Sequence, residues 1–148
     1  MNYGLAKKLG SLFVSRIGTV PAAVAAATRN GTGIDRATPG GALYTGCTLV
    51  GSLGATSGTP TSFTATFKLQ DSADNSTYAD FVPGGEVAAA GALTENTTAS
   101  TLAEKDINLS AARRYIRVVE VVAFVGGTSP TIGVCSQVIL YGSDRTPV

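Results

Sequence analysis

FTATFKLQ, residues 63–70, alternates without a break: Phe63, Ala65, Phe67 and Leu69 fall on one side, Thr64, Thr66, Lys68 and Gln70 on the other. A period of two fits a strand with one dry and one wet face; on a helix it would scatter the apolar residues around the axis. Such a strand needs neighbours in a sheet, and the sheet needs a second layer over its dry face. RRYIRVVEVVAFV, residues 113–125, tightens the constraint, being dense in β-branched and aromatic residues. Ile116, Val118, Val122 and Phe124 share one face; Arg117, Val119, Val121 and Val125 share the other. Apolar residues on both faces predict a central strand, or one whose second face another chain covers. TIGVCSQVILYG, residues 131–142, closes the pattern with Ile132, Val134, Val138 and Leu140 on one face and Gln137, Ile139 and Tyr141 on the other.

Turn signals punctuate these segments. GTVP, RNGTG and TPGG lie between residues 18 and 41, GSLGATSGTPTS covers 51–62, DSADNS covers 71–76 and GGTSP covers 126–130. ALYTGCTLV (42–50) reads as a strand before the 51–62 loop, and INLS (107–110) as a short strand. The connection 82–106 is long and rich in small residues, with a weak strand around Glu86–Ala90. Charged residues make up only 14% of a Gly-, Ser- and Thr-rich chain, the composition of turn-rich β proteins. The sum is seven to nine strands in an all-β domain, a β-sandwich or a closed barrel. At 148 residues there is room for one core.

The first third reads differently. Leu5, Leu9, Leu12 and Phe13 recur at helical spacing with Lys7, Lys8 and Ser11 between them, although Gly4 and Gly10 weaken a helix and LFVSRI fits a short strand equally well. Residues 1–41 are therefore expected to form an extended N-terminal arm with a short helix or strand and a further strand near Ile34. Residues 42–142 form the sandwich and 143–148 a polar tail. A Gly- and Ala-rich leader makes no core alone, so the arm is expected to lie along a partner chain, the alternative being that it packs on its own domain. Lys7–Lys8 and Ala25–Ala27 imitate a secretory signal, but Arg16 interrupts the apolar run and Pro21 follows it, so that reading is rejected. No apolar run approaches the length of a membrane span.

Chemistry is sparse. The absence of histidine excludes Ser-His-Asp and Cys-His arrangements and the usual zinc ligand sets. No nucleophile elbow or phosphate-binding loop occurs. Asp71, Asp74 and Asp80 cluster in FKLQDSADNSTYADF, yet their spacing fails a calcium loop and the bend has no glycine, so 71–76 reads as a hairpin turn. Glu120 is the one acid in mid-strand, expected on a wet face or in an ion pair with a neighbouring arginine. Cys47 and Cys135 lack metal or redox spacing and read as buried free thiols. A net charge of +1 leaves no broad footprint for nucleic acid. Arg113, Arg114 and Arg117 form the basic cluster, either a solvated strand end or a grip on phosphate or a partner's carboxylates. No catalytic, cofactor or metal residues are assigned, and an enzyme is not expected.

FKLQDSADNSTYADF, followed by INLSAARRYIRVV and GGTSPTIGVCSQVILYG, resembles a pattern in small structural proteins of tailed bacteriophages, above all capsid decoration or cement proteins. The resemblance covers about residues 60–142. It implies a jelly-roll-like β-sandwich that forms dimers or trimers, needs no cofactor and binds neither nucleic acid nor membrane. It also implies a place on the capsid exterior of the virion, across junctions between major capsid proteins, after synthesis in the host cytoplasm. The absence of a disulfide pattern suits that compartment. On this implication Tyr3, Leu5, Leu9, Leu12 and Phe13 reach onto major capsid protein or a sister subunit, and Arg113, Arg114 and Arg117 pair with acidic capsid groups. The alternative is a tail or fibre module that binds a host surface carbohydrate or receptor. The chain has no tryptophan and five tyrosines to stack on sugar rings.

Overall fold

The computed structural model describes residues 12–82 and 94–143. Ten antiparallel strands are present among them: β1 (Val14–Val24), β2 (Ala27–Asn30), β3 (Ile34–Asp35), β4 (Tyr44–Ser57), β5 (Ser62–Ser72), β6 (Ala79–Asp80), β7 (Thr94–Asn96), β8 (Leu102–Asn108), β9 (Tyr115–Val125) and β10 (Thr131–Ser143). The excess over the expected seven to nine comes from β3, β6 and β7, which are only two or three residues long. One sheet has the order β1-β10-β4-β8; the other runs β2-β9-β5-β6, with β3 also on β9 and β7 also on β5. The pairings are nested. β1 pairs β10, β2 pairs β9, β4 pairs β8, and β5 pairs β6 and β7. One long hairpin has been rolled into two facing sheets, which is the jelly-roll arrangement.

The core lies between the sheets. Phe63, Ala65, Phe67 and Leu69 of β5 are buried, in the phase the alternation requires. On β9, Ile116, Val118 and Val122 point into the core, and the strand is flanked by β5 on one side and by β2 and β3 on the other. Its central position explains its apolar residues on both faces. From β4 and β10, Cys47, Leu49, Leu53, Ile132, Val134, Val138 and Leu140 complete the packing.

Three expectations are corrected. Residues 14–41 are not an arm lying off the body. They supply β1, a full partner of β10 from Val14↔Leu140 to Val24↔Ile132, and then β2 and β3. Residues 51–57 are not a loop but the second half of β4. Their small side chains answer a packing need: a Cβ at Gly51 would stand 2.4 Å from the Phe67 ring. The loop shrinks to the bend after Ser57, where Gly58 has φ 71°. Its carbonyl accepts the Thr128 amide at 2.9 Å, which ties this bend to GGTSP. Finally, β8 begins at Leu102, well before INLS, so the long connection contains both β7 and most of β8. The weak strand around Glu86–Ala90, any helix before Leu12 and the tail from 144 lie outside the described residues.

Arg36, which the sequence reading passed over, holds one end of the sandwich. It is 1% exposed. Its Nε donates to the Arg113 carbonyl at 2.9 Å, and Nη1 donates to the carbonyls of Tyr44 at 2.7 Å and Leu109 at 2.8 Å. Nη2 donates to the Ala112 carbonyl. The planar fork thus satisfies buried and part-buried backbone of two chain segments.

The cysteines are both free; Cys47 is buried and Cys135 half-buried. Cys47 is level with Leu140 and Cys135 with Ser52, so they occupy different levels of the β4–β10 ladder. Burial pushes the Cys47 thiol up to about 12. It is therefore expected to stay unmodified by iodoacetamide at neutral pH in the folded protein and to react on unfolding, as mass spectrometry would read.

Candidate functional site

On one side of the sandwich the edge strands of both sheets meet: β1 of the first and β2 of the second. β1 is irregular there. Its register against β10 shifts between Ile17 and Thr19 and again between Thr19 and Ala22. Pro21 has no amide to offer in this stretch. Bulges and proline are the usual means of stopping an edge strand from recruiting another. Here they also turn side chains around. Gly18 and Thr19 are both buried, while Ile17 and Val20 are each 62% exposed. Between Ile17–Val20 and Arg29–Thr32 lies a cavity of about 270 Å³.

The two edges approach closely at its floor. A Cβ on Gly31 would lie 2.0 Å from the Gly18 carbonyl oxygen, and the Gly31 amide donates to the Val118 carbonyl at 2.8 Å. Both opposing atoms are backbone, so no side chain can yield. Gly31→Ala is expected to cost about 1–3 kcal/mol, as overpacking does, and to lower Tm by several degrees in a calorimetric scan.

A polar cluster sits behind this edge. Glu120 of β9 is 1% exposed and shares the inward face with Ile116, Val118 and Val122. The Thr19 hydroxyl donates to Glu120 Oε1, and Thr19 Oγ1 lies 2.7 Å from Ser136 Oγ. Arg29 Nη1 stands 3.4 Å from Glu120 Oε2, and Arg29 Nη2 donates to the Val20 carbonyl at 2.7 Å. Burial pushes the Glu120 carboxyl above the usual range, against the Thr19 hydrogen bond and the Arg29 charge. Of the two readings offered by the sequence, the ion pair is present and the wet face is corrected. The signal was available: position 120 is in phase with 116, 118, 122 and 124.

The residues singled out from the sequence are distributed as follows. Tyr3, Leu5 and Leu9 lie outside the described residues. Leu12 is half-buried at the entry to β1. Phe13, 43% exposed, stands edge-on to Tyr141 of β10 with ring centroids 6.3 Å apart. Arg113, Arg114 and Arg117 share one end of the sandwich, but each has its own partner. The Arg113 amide donates to Asp71 at 2.8 Å and its Nε is 3.9 Å from the same carboxylate. Arg114 grips Asp35, with Nη2 at 2.7 Å, and holds that carboxyl below its usual range. Arg117 donates twice to Gln70 Oε1, at 2.9 and 2.7 Å, and stacks 4.2 Å from the Tyr78 ring centroid.

The aspartates of 67–81 are committed to the hairpin. Asp74 accepts the amides of Ser76 and Thr77, each at 2.9 Å, and the Ser72 hydroxyl at 2.8 Å. These bonds, the Thr77 amide first, hold its carboxyl well below the usual range. Asp80 accepts from Lys68 at 2.6 Å and Gln70 at 2.7 Å, while Asp71 faces Arg113. The three carboxylates thus point to different partners, as a turn requires and a shared cation site does not.

No protein-family model matches the chain, and no curated protein matches it in sequence. Among solved structures it is similar to the PBSX exported protein XepA, with a TM-score of 0.52 and 15% identity over 91% of this chain. That alignment covers 39% of XepA, so the chain spans well under half the length of that protein. Weaker likenesses are to a protein of the Bacillus endospore appendages, at TM-score 0.40 and 13% identity over 88% of each chain. The acid-stable capsid of Helicobacter pylori bacteriophage KHP30 gives 0.42 and 12% identity, over 91% of this chain and 94% of that one. At these identities the likeness to XepA extends to the fold, a β-sandwich of two antiparallel sheets.

Proposed function

We propose that the protein is a non-enzymatic structural component of a bacteriophage virion. It binds the outside of the capsid and stabilises contacts between major capsid proteins. The observation that carries this reading is the β1 edge. A bulged strand, closed to further strand pairing, turns Ile17 and Val20 into solvent directly after the apolar N-terminal segment. Large apolar side chains displayed beside one another at such an edge fit a surface that another protein covers. The resemblance of residues 60–142 to decoration proteins supports the reading, and a jelly roll offers a rigid body for it. Action is by burial of surface, multiplied by avidity when many copies, as dimers or trimers, sit on one shell. The arginine cluster plays a smaller part than the apolar edge, because a capsid carboxylate at Arg113 or Arg114 competes with Asp71 or Asp35.

The test is co-sedimentation with stripped or expanded capsids, followed by a thermal melt of the shells. Wild-type protein is expected to bind stoichiometrically and raise the melting temperature. Truncation must stop before β1: removing residues 1–20 takes away much of the β10 ladder and tests folding instead. Removal of residues 1–11, or Ile17→Asp with Val20→Asp, is expected to keep the fold and weaken binding about 10- to 100-fold, the scale of one or two lost apolar anchors. Absence of wild-type binding to shells would overturn the capsid reading in favour of a tail or fibre module, for which glycan-array binding is the readout.

A further inference from the structure

We propose that Glu120 is a pH-responsive clasp that seats the β1 edge on the sandwich when protonated and releases it when ionised. The geometry carries this. Glu120 lies between the sheets and touches an element on every side that matters. β1 presents Thr19, β10 presents Ser136 and β2 presents Arg29. Beside it on β5 is Phe67. Among the described residues, Arg29 is the charged group that reaches it, and its Nη1 makes no hydrogen bond while Nη2 is engaged with Val20. Oε2 of Glu120 likewise lacks a hydrogen-bond partner among the described residues.

A neutral carboxyl fits this place with its proton on Oε1: the Thr19 bond then reverses, Oε1–H donating to Thr19 Oγ1 and Thr19 donating to Ser136 Oγ, while Oε2 stays an acceptor toward Arg29 Nη1. An ionised one puts a full charge between two sheets, opposed by an arginine at 3.4 Å without hydrogen-bond geometry. Thr19 and Arg29, which touch Glu120, line the cavity between Ile17–Val20 and Arg29–Thr32, so lifting β1 at its bulge would open the carboxyl to it. The direction follows from linkage. Burial raises the folded-state value above the unfolded one. The clasp is therefore complete below the ordinary glutamate range and weakens as pH rises toward the folded value. Ile17 and Val20 move with β1, so the docking edge is firm in acid and looser near neutrality. This last consequence rests on the capsid-binding reading; the clasp itself does not.

Hydrogen exchange of peptides covering residues 14–24, corrected for intrinsic rates, tests the clasp from about pH 4 to about pH 8 without any partner. In the wild type, protection is expected to fall by up to about tenfold per pH unit between the ordinary glutamate range and the raised folded value. Peptides from β4 and β5 should stay level. Glu120→Gln should remove the dependence. Arg29→Gln, which takes away the charge that steadies the carboxylate, should extend the fall to higher pH. A level wild-type profile, or equal slopes in wild type and Glu120→Gln, overturns the proposal. If Glu120→Gln does not fold, the Arg29→Gln comparison decides, and an unshifted profile there overturns it as well. Loss of capsid binding with the exchange pattern intact would count against the docking reading alone.

Discussion

Arg36→Met is expected to destabilise the domain by about 2–6 kcal/mol or more. The substitution keeps much of the side-chain length and removes every donor. Two buried carbonyls, those of Leu109 and Ala112, and two part-buried ones, those of Tyr44 and Arg113, then lose their partner together. A stranded buried acceptor costs about 1–3 kcal/mol, so the two buried carbonyls cost about 2–6 kcal/mol against a typical total of about 5–15, and the part-buried pair adds to that. Arg36→Lys should fall between the two. Its ammonium has three donors on a flexible stem, too few and too loosely placed for four carbonyls. Urea unfolding followed by circular dichroism separates the three proteins by midpoint. A methionine variant within about 1 kcal/mol of wild type would mean that those carbonyls find other donors.

The second large effect concerns Phe67, which is fully buried on β5 and lies against the bare backbone of Gly51 across the core. Phe67→Ala is expected to cost about 3–5 kcal/mol through lost burial and a residual cavity. Gly51→Ala alone is expected to cost about 1–3 kcal/mol, because its new methyl meets the ring. The two changes relieve each other. In the double variant the methyl occupies space the ring has vacated, so the total should fall short of the sum by about 1 kcal/mol or more. A double-mutant cycle in urea reads this directly. Strict additivity would show that the two residues do not share one packing site.

These two residues also mark how far the sequence could be read. Phe67 was placed correctly because alternation on β5 is local and uninterrupted. Gly51 was assigned to a loop because small residues in a row look like a turn, and only the ring opposite explains them. The start of β1 was legible as the short strand LFVSRI, but its continuation was missed for a related reason. Its two bulges break the period, so the run from Ile17 to Ala22 loses the alternation that identified β5. Arg36 and Arg29 look like ordinary surface arginines, and the burial of the first and partial burial of the second depend on segments far along the chain. The arginine cluster at 113–117 was visible as charge, but Asp35, Asp71 and Gln70, which hold it, come from β3 and β5.

The sequence by itself determined that this chain is all-β, where its most regular strands and the turn after β5 lie, and which face of β5 is dry. Those properties follow from side-chain period and turn chemistry, which act over a few residues. Only the tertiary structure decided the nested strand order, the seam between β1 and β2, and the environment of Glu120. Thr19 and Ser136, which meet there, stand 117 residues apart in the chain. Pairing across such a distance is selected by the burial of the whole sheet, since each strand alone could pair with several others.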